Sequence, residues 1–115
     1  MPKLIYAIIS GTMNAVKIGK TTRNIKELRH DFTRPYGSNM CIYYFDVNDF
    51  DLDSLERLIH NELKEYKRTN ELYEGAFYNF YIEKIGQIIR NFGNKDIYPI
   101  HAENIEGNMQ WHPTS

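Results

Sequence analysis

Glu56 and His60 are the residues of this chain whose types and spacing most directly suggest chemistry. They stand four positions apart in a segment, 52–66, whose apolar residues recur with the period of a helix, so both would project from one face. Mg²⁺ prefers oxygen ligands, and one carboxylate is enough when a phosphate supplies others. His60 could orient Glu56 or contact substrate. Alternatively, with Asp53 as N-cap, Glu56 would be a capping-box glutamate.

Basic side chains that could bind phosphate precede this helix along the chain. Lys17 could bind a phosphate directly, and Arg29, in an earlier predicted helix, could clamp phosphate oxygens with its planar guanidinium. Arg23 is the alternative to Arg29. Gly19 ends a predicted strand, where a missing side chain allows close approach. The residues that follow it could also touch phosphate: Lys20 and Thr21. A strand end and solvated helix side chains would explain the same residues without a site.

The elements that would position these residues follow the order β-β-α-β-α-α. A continuous apolar run at 3–9 predicts a central strand buried on both faces, and the second strand, 15–21, alternates. Asn24 and Glu27 have the spacing of a capping box at a helix start. The later predicted elements are a strand at 40–47 and helices at 52–66 and 82–92. This order predicts an α+β fold, a small three-stranded antiparallel sheet flanked by helices.

Composition and charge indicate one domain with an uneven charge distribution. The chain has 115 residues, of which 42% are hydrophobic, and a net charge of −1, so no global basic field points to nucleic acid. Residues 1–36 contain seven Lys or Arg and two acids, whereas residues 37–66 contain seven acids and two bases. A basic half facing an acidic half fits phosphate binding beside a metal carboxylate. An ordinary mixed-charge surface is the alternative.

Other functional classes find little support in the sequence. Cys41 is the single cysteine, which excludes an intramolecular disulfide and a cysteine-based metal site. The other histidines lack metal-ligand spacing with one another: His30, His101 and His112. We expect an intracellular, soluble protein without membrane contact, because the apolar run after Lys3 is short and no run approaches 18 residues.

The order of these residues resembles the GIY-YIG nuclease superfamily. Ile5-Tyr6 on the first strand and Lys17-Ile18-Gly19 on the second are similar to its two name-giving motifs, in the form carried by phages and viruses. A helical arginine and a later helical glutamate follow in the same order. The resemblance covers residues 3–80, and it departs from the superfamily where Leu4 replaces glycine and Lys17 replaces tyrosine.

This resemblance implies an endonuclease that hydrolyses DNA phosphodiester bonds with one Mg²⁺ or Mn²⁺ ion on Glu56. Tyr6 would position or activate the attacking water with Lys17 nearby, and Arg29 would hold the phosphate; a core aromatic is the alternative for Tyr6. Glu71 begins a stretch similar to a late motif of the phage branch, and it could orient Tyr6 or simply begin a turn.

The resemblance also implies a nuclease-like domain at 1–92 and a polar tail at 93–115, flexible or docked on the domain, in the cytoplasm or nucleus of a host if the source is viral. The implied catalytic residues are Tyr6, Lys17, Arg29, His60 and Glu71. The implied substrate-binding residues are Gly19, Lys20, Thr21 and Arg23, with Glu56 as the metal ligand. Two rival functions stay open: a non-catalytic nucleic-acid-binding module on the same fold, and a viral protein-interaction module that uses the tail and the aromatic stretch 77–81.

Overall fold

One antiparallel sheet with helices on both faces makes up the fold. The computed structural model describes residues 2–11, 13–36, 40–69 and 71–102. In chain order the elements are β1 (Leu4–Ser10), β2 (Ala15–Thr21), α1 (Ile25–Tyr36), β3 (Met40–Asp46), α2 (Leu52–Glu62), β4 (Lys67–Thr69), β5 (Leu72–Glu74), α3 (Tyr78–Gly93) and β6 (Ile100–His101). No helix in these ranges is long and apolar enough to cross a membrane.

The sheet has six strands in the order β4-β5-β2-β1-β3-β6, and every pair is antiparallel. The α+β class and the central place of β1 are therefore confirmed, but the prediction of three strands is wrong. The three additional strands are only two or three residues long, too short for an alternating pattern to show. β5 and β6 pair with the edges of β2 and β3, whose backbone groups need partners, and β4 pairs with β5.

Apolar side chains on the two faces of β1 build two separate cores. Ile5 and Ala7 pack with α2 and α3 in the larger core, whereas Tyr6 and Ile8 pack with α1 in the smaller one. This alternation follows from the two-residue period of a strand. Residues on β2 opposite β1 obey the same rule, which decides the face on which each candidate site residue lies.

A close contact between two turns fixes β5 against β2. Asn14, in the β1–β2 hairpin, has a left-handed backbone with φ of 49°. Its carbonyl accepts a hydrogen bond from the Gly75 N–H at 3.2 Å. A Cβ atom on Gly75 would collide with the Asn14 carbonyl, so this position requires glycine. The contact sets the register of β5 and so places Glu71, which comes just before that strand.

The ends of the helices show where local sequence signals were sufficient. The predicted capping box of α1 is confirmed: Glu27 N–H donates to Asn24 Oδ1 at 2.9 Å and Asn24 N–H donates to Glu27 Oε1 at 3.2 Å. In contrast, α3 begins at Tyr78 rather than at residue 82, because Tyr81 packs with Ile82 in the larger core. Part of the predicted tail pairs with β3 as β6, whereas Trp111 and His112 lie outside the described residues.

Candidate functional site

A cleft opens along the edge of β2, where its neighbouring strand ends. β5 pairs only with residues Ala15 to Lys17 of β2. Beyond them, the Ile18 N–H donates to the Glu71 carbonyl at 3.0 Å, and α2 forms the opposite wall. The cleft has a volume of about 500 Å³ and is lined by Lys20, Asp53, Glu56, Arg57, His60, Lys67 and Glu71.

Three potential metal ligands meet in this cleft. One carboxylate or imidazole atom from each of Glu56, His60 and Glu71 lies within 4.8 Å of the other two. Leu55 and Ile59 are buried and anchor α2 on the sheet, so the residues that follow each of them turn toward the cleft. Within the described ranges this is the one group of histidine, cysteine and acidic residues with such spacing.

Glu56 is not a helix-capping residue. The N-cap of α2 is Asp51, not Asp53, and the Ser54 hydroxyl donates to the Asp51 carboxylate at 2.9 Å. Glu56 is therefore the fifth residue of the helix, beyond the position that a capping-box glutamate occupies. The interpretation of Glu56 as a capping-box residue is therefore wrong. The partly buried carboxylate of Glu56 lines the cleft instead.

His60 presents one ring nitrogen to the cleft and uses the other to bond the core. Its Nδ1 shares a hydrogen bond with the Tyr73 hydroxyl, and the two rings stack with centroids 5.6 Å apart. Its Nε2 is buried, has no hydrogen-bond partner among the described residues, and lies 3.7 Å from Glu56 Oε2. Burial lowers the pKa of His60 although the Glu56 carboxylate opposes this shift. The imidazole is therefore neutral at neutral pH, which is the form that binds metals.

Glu71 is tied to Lys17, which reaches around the edge of the sheet. Burial alone would raise the pKa of Glu71, but the hydrogen bond and charge of Lys17 outweigh it and hold the pKa below its usual range. The Lys17 ammonium also lies 5.4 Å from the centroid of the Phe32 ring on the α1 face. Lys17 therefore joins the cleft to the opposite side of the sheet.

Lys20 is also bound by carboxylates. It forms an ion pair with Asp53, and its Nζ lies 3.4 Å from Glu56 Oε1. The hydrogen bond to Asp53 is the main reason that the pKa of Lys20 is raised. Lys20 lines the cleft, and in this structure carboxylates already balance its charge; its contact with phosphate stays a prediction.

Tyr6 and Gly19 lie together on the α1 face, where they are cross-strand partners. A Cβ atom on Gly19 would be 2.6 Å from the Tyr6 hydroxyl oxygen, so the glycine makes room for this phenol. Tyr6 is only 4% exposed, and its ring lies 6.0 Å from that of Phe32. The close approach predicted at Gly19 is thus made by Tyr6 within the protein.

The two arginines of the α1 region differ in their partners. Arg23 is exposed, and its guanidinium lies 2.8 Å from the Asp31 carboxylate and 3.6 Å from the Glu27 carboxylate. The backbone N–H of Arg23 donates to Thr21 Oγ1 at 2.9 Å. Arg23 and Thr21 thus serve the local turn. Arg29 has its Nη2 buried without a hydrogen-bond partner among the described residues. This contrast favours Arg29 as the anion-binding residue.

Sequence reasoning missed Tyr73 and three further cleft residues. Tyr73 had no local signal, because its contact with His60 arises from the pairing of β5 with β2. Of the other three, Asp53 and Arg57 did have one: the cleft face of α2 follows the spacing i, i+3, i+4, i+7 at Asp53, Glu56, Arg57 and His60, whereas Lys67 begins the short strand β4. His101 stacks on Tyr43 with ring centroids 4.6 Å apart and does not line the cleft.

The chain belongs to the T5orf172 domain family, whose model matches residues 3–93. This is a phage and viral nuclease-associated domain family, which connects the chain in general terms with nucleic acids. The resemblance to the GIY-YIG superfamily is therefore wrong as a family assignment, and no GIY-YIG family model matches. Its motifs were short, and two of their defining positions differed at Leu4 and Lys17.

A viral protein is also similar to this chain. Uncharacterized protein R865 of Acanthamoeba polyphaga mimivirus is 33% identical over 98 residues, which is 85% of this chain. The chain spans only 15% of the length of that relative. No solved structure matches the chain.

Proposed function

We propose that this domain is a metal-dependent nuclease that hydrolyses phosphodiester bonds, with DNA as its substrate and Mg²⁺ or Mn²⁺ as its metal. The observation that carries the proposal is the convergence of Glu56, His60 and Glu71 on one cleft beside lysine side chains. Membership in a nuclease-associated family supports the same substrate class.

The charges of the cleft lining nearly cancel, so phosphate binding there would need an added cation such as a metal ion. Three cationic side chains in the lining are matched by three carboxylates, and His60 is neutral. A phosphate approaching this balanced lining gains little net attraction. A bound divalent ion would add two positive charges and would stabilise negative charge that develops on phosphate oxygens.

The three potential metal ligands and the two lysines that contact them have roles that follow from their positions. Glu56 would hold the ion, with His60 and Glu71 contributing one ligand atom each. Lys17 favours the ionised form of Glu71. At the edge of the sheet, its ammonium group would also help to bind phosphate. Lys20 would exchange a carboxylate partner for a substrate oxygen at the mouth of the cleft.

Residues of the α1 face would assist from the other side of the sheet. Arg29, whose Nη2 is buried without a described partner, would clamp a phosphate oxygen. Tyr6 is too deeply buried to activate a water molecule directly, so we assign it to positioning Lys17 through their shared neighbour Phe32.

A non-catalytic nucleic-acid-binding module is the second candidate function. The observation that favours it is that Lys17 and Lys20 are paired with carboxylates. Less unpaired positive charge is therefore left to stabilise the transition state at a scissile phosphate. Such a module would bind DNA and leave the strand intact.

Nicking of supercoiled plasmid tests the two candidates. Purified protein is incubated with Mg²⁺ or Mn²⁺, with and without chelator, and wild type is compared with Glu56→Gln. Glu62→Gln is the matched control, because it makes the same change at an exposed position of the same helix. We expect nicking by wild type and Glu62→Gln, and none by Glu56→Gln or in chelator.

The other outcomes contradict the proposal in distinct ways. Equal nicking by wild type and Glu56→Gln would mean that another site, or a contaminating nuclease, cuts the plasmid. If wild type leaves plasmid, branched and single-stranded substrates intact with both metals, the nuclease is contradicted, and a DNA-binding assay then decides between the nucleic-acid-binding module and the protein-interaction module.

A further inference from the structure

Of the three potential ligands in the cleft, His60 is the one that forms no ion pair with a lysine among the described residues. Glu56 and Glu71 each contact a lysine ammonium, which a metal ion would have to displace. His60 Nε2 is buried, has no hydrogen-bond partner among the described residues, and is too far from Glu56 Oε2 for a good hydrogen bond. This nitrogen is therefore already available for coordination.

Tyr73 holds the imidazole in the orientation that coordination requires. Its hydroxyl bonds Nδ1, its ring stacks on the imidazole, and its side chain is fully buried. Tyr81 packs edge-on against it with centroids 5.6 Å apart, so the phenol has no room to swing away. A ring held through Nδ1 can direct only Nε2 into the cleft. Groups that fix a metal-binding histidine in this way tune the affinity of the site.

We propose that the Tyr73–His60 pair makes the cleft selective for a first-row transition-metal ion, such as Mn²⁺, over Mg²⁺. The inference rests on the metal role assigned to this cleft in the proposed function. An imidazole nitrogen suits first-row transition metals better than Mg²⁺, which takes oxygen ligands and keeps its waters; Mn²⁺ also binds carboxylates well, so it can use all three donors of this cleft. Two carboxylates with one imidazole therefore bind Mn²⁺ through three protein atoms, but offer Mg²⁺ only the two carboxylates.

Direct metal binding by the full chain tests this selectivity without reference to cleavage. Free Mn²⁺ is measured by electron paramagnetic resonance during titration of wild type, Tyr73→Phe and Tyr81→Phe, and each complex is then challenged with Mg²⁺. Tyr81→Phe is the matched control, because Tyr81 is equally buried but its hydroxyl donates to the Glu74 carbonyl at 2.7 Å.

The expected result separates the two tyrosines. Wild type and Tyr81→Phe should bind Mn²⁺ with equal affinity, and a tenfold excess of Mg²⁺ should not displace it. Tyr73→Phe should weaken Mn²⁺ binding about 10-fold, the typical effect of losing a group that orients a ligand. Its affinity for Mg²⁺ should stay the same. Circular dichroism of each variant checks that the fold is retained.

Two results would overturn the inference. One is displacement of Mn²⁺ from wild type by a tenfold excess of Mg²⁺, a measurement that does not depend on the folding of any variant. The other is an equal loss of Mn²⁺ affinity in Tyr73→Phe and Tyr81→Phe. If Mg²⁺ displaces Mn²⁺ but plasmid nicking persists, the nuclease stands and the selectivity fails. If Mn²⁺ binds selectively but no substrate is cut, the selectivity stands and the nuclease fails.

Discussion

Two groups of ionisable residues at helical spacing differ in how completely their side chains are paired with one another. Just before α1, Arg23 forms ion pairs with Glu27 and Asp31 of that helix, and all three side chains are exposed. On α2, Glu56 and His60 are partly buried, and the imidazole Nε2 has no hydrogen-bond partner among the described residues. The side chains of the first group pair with one another and need no ligand, whereas the second group leaves a potential metal-binding nitrogen in the cleft. Unpaired polar atoms thus distinguish the candidate site from an ordinary charged surface.

After the complete loss of nicking expected for Glu56→Gln, the largest expected effect that would test this difference is on Lys17. Lys17→Met leaves the Glu71 carboxylate partly buried without its cation and removes a phosphate-binding group. Plasmid nicking should fall about 100-fold, similar to the loss of one strong transition-state contact. Lys26→Met, which removes the same charge from an exposed position on α1, should nick within about twofold of wild type. Similar losses in both variants would mean that nicking follows net charge and not the cleft.

The smallest expected effect is in the α1 group. Asp31→Asn removes a carboxylate from an exposed ion pair with Arg23, so the free energy of unfolding should fall by less than about 1 kcal/mol. Urea unfolding followed by circular dichroism measures this change, and nicking should stay at the wild-type rate. A large loss of nicking in this variant would show that the α1 group belongs to the site, and the contrast between the groups would then fail.

Local patterns were sufficient where neighbours in sequence are neighbours in space. The continuous apolar run of β1 predicted its central place, and Asn24 with Glu27 predicted the start of α1. Glu56 and His60 were paired correctly because four residues make about one helical turn.

Features that depend on pairing between distant segments could not be predicted in the same way. Strands as short as β4, β5 and β6 exist only through the edges to which they bind, so the sheet was predicted with too few strands. Glu71 could be suspected of a site role, but its position beside His60 follows from the register of β5 on β2. Tyr73 was missed for the same reason. The family assignment failed because the motifs on this hairpin are short and two of their defining positions differ, whereas the matching family model spans residues 3–93.

The central claim is that a metal ion converts a charge-balanced cleft into a phosphate-binding site, and DNA binding with and without metal tests it most directly. Fluorescence anisotropy of a labelled duplex is measured in chelator and in Mn²⁺ at equal ionic strength, immediately after mixing, and a gel of the same samples confirms that the duplex has not yet been cut. Matching ionic strength matters because salt alone changes phosphate binding.

Wild type and Glu62→Gln should bind at least about 10-fold more tightly in Mn²⁺, because two added positive charges face the phosphate across a short distance. Glu56→Gln should lose this dependence on metal, since it lacks a proposed ligand. Equal affinity of wild type for DNA in chelator and in Mn²⁺ would contradict the account.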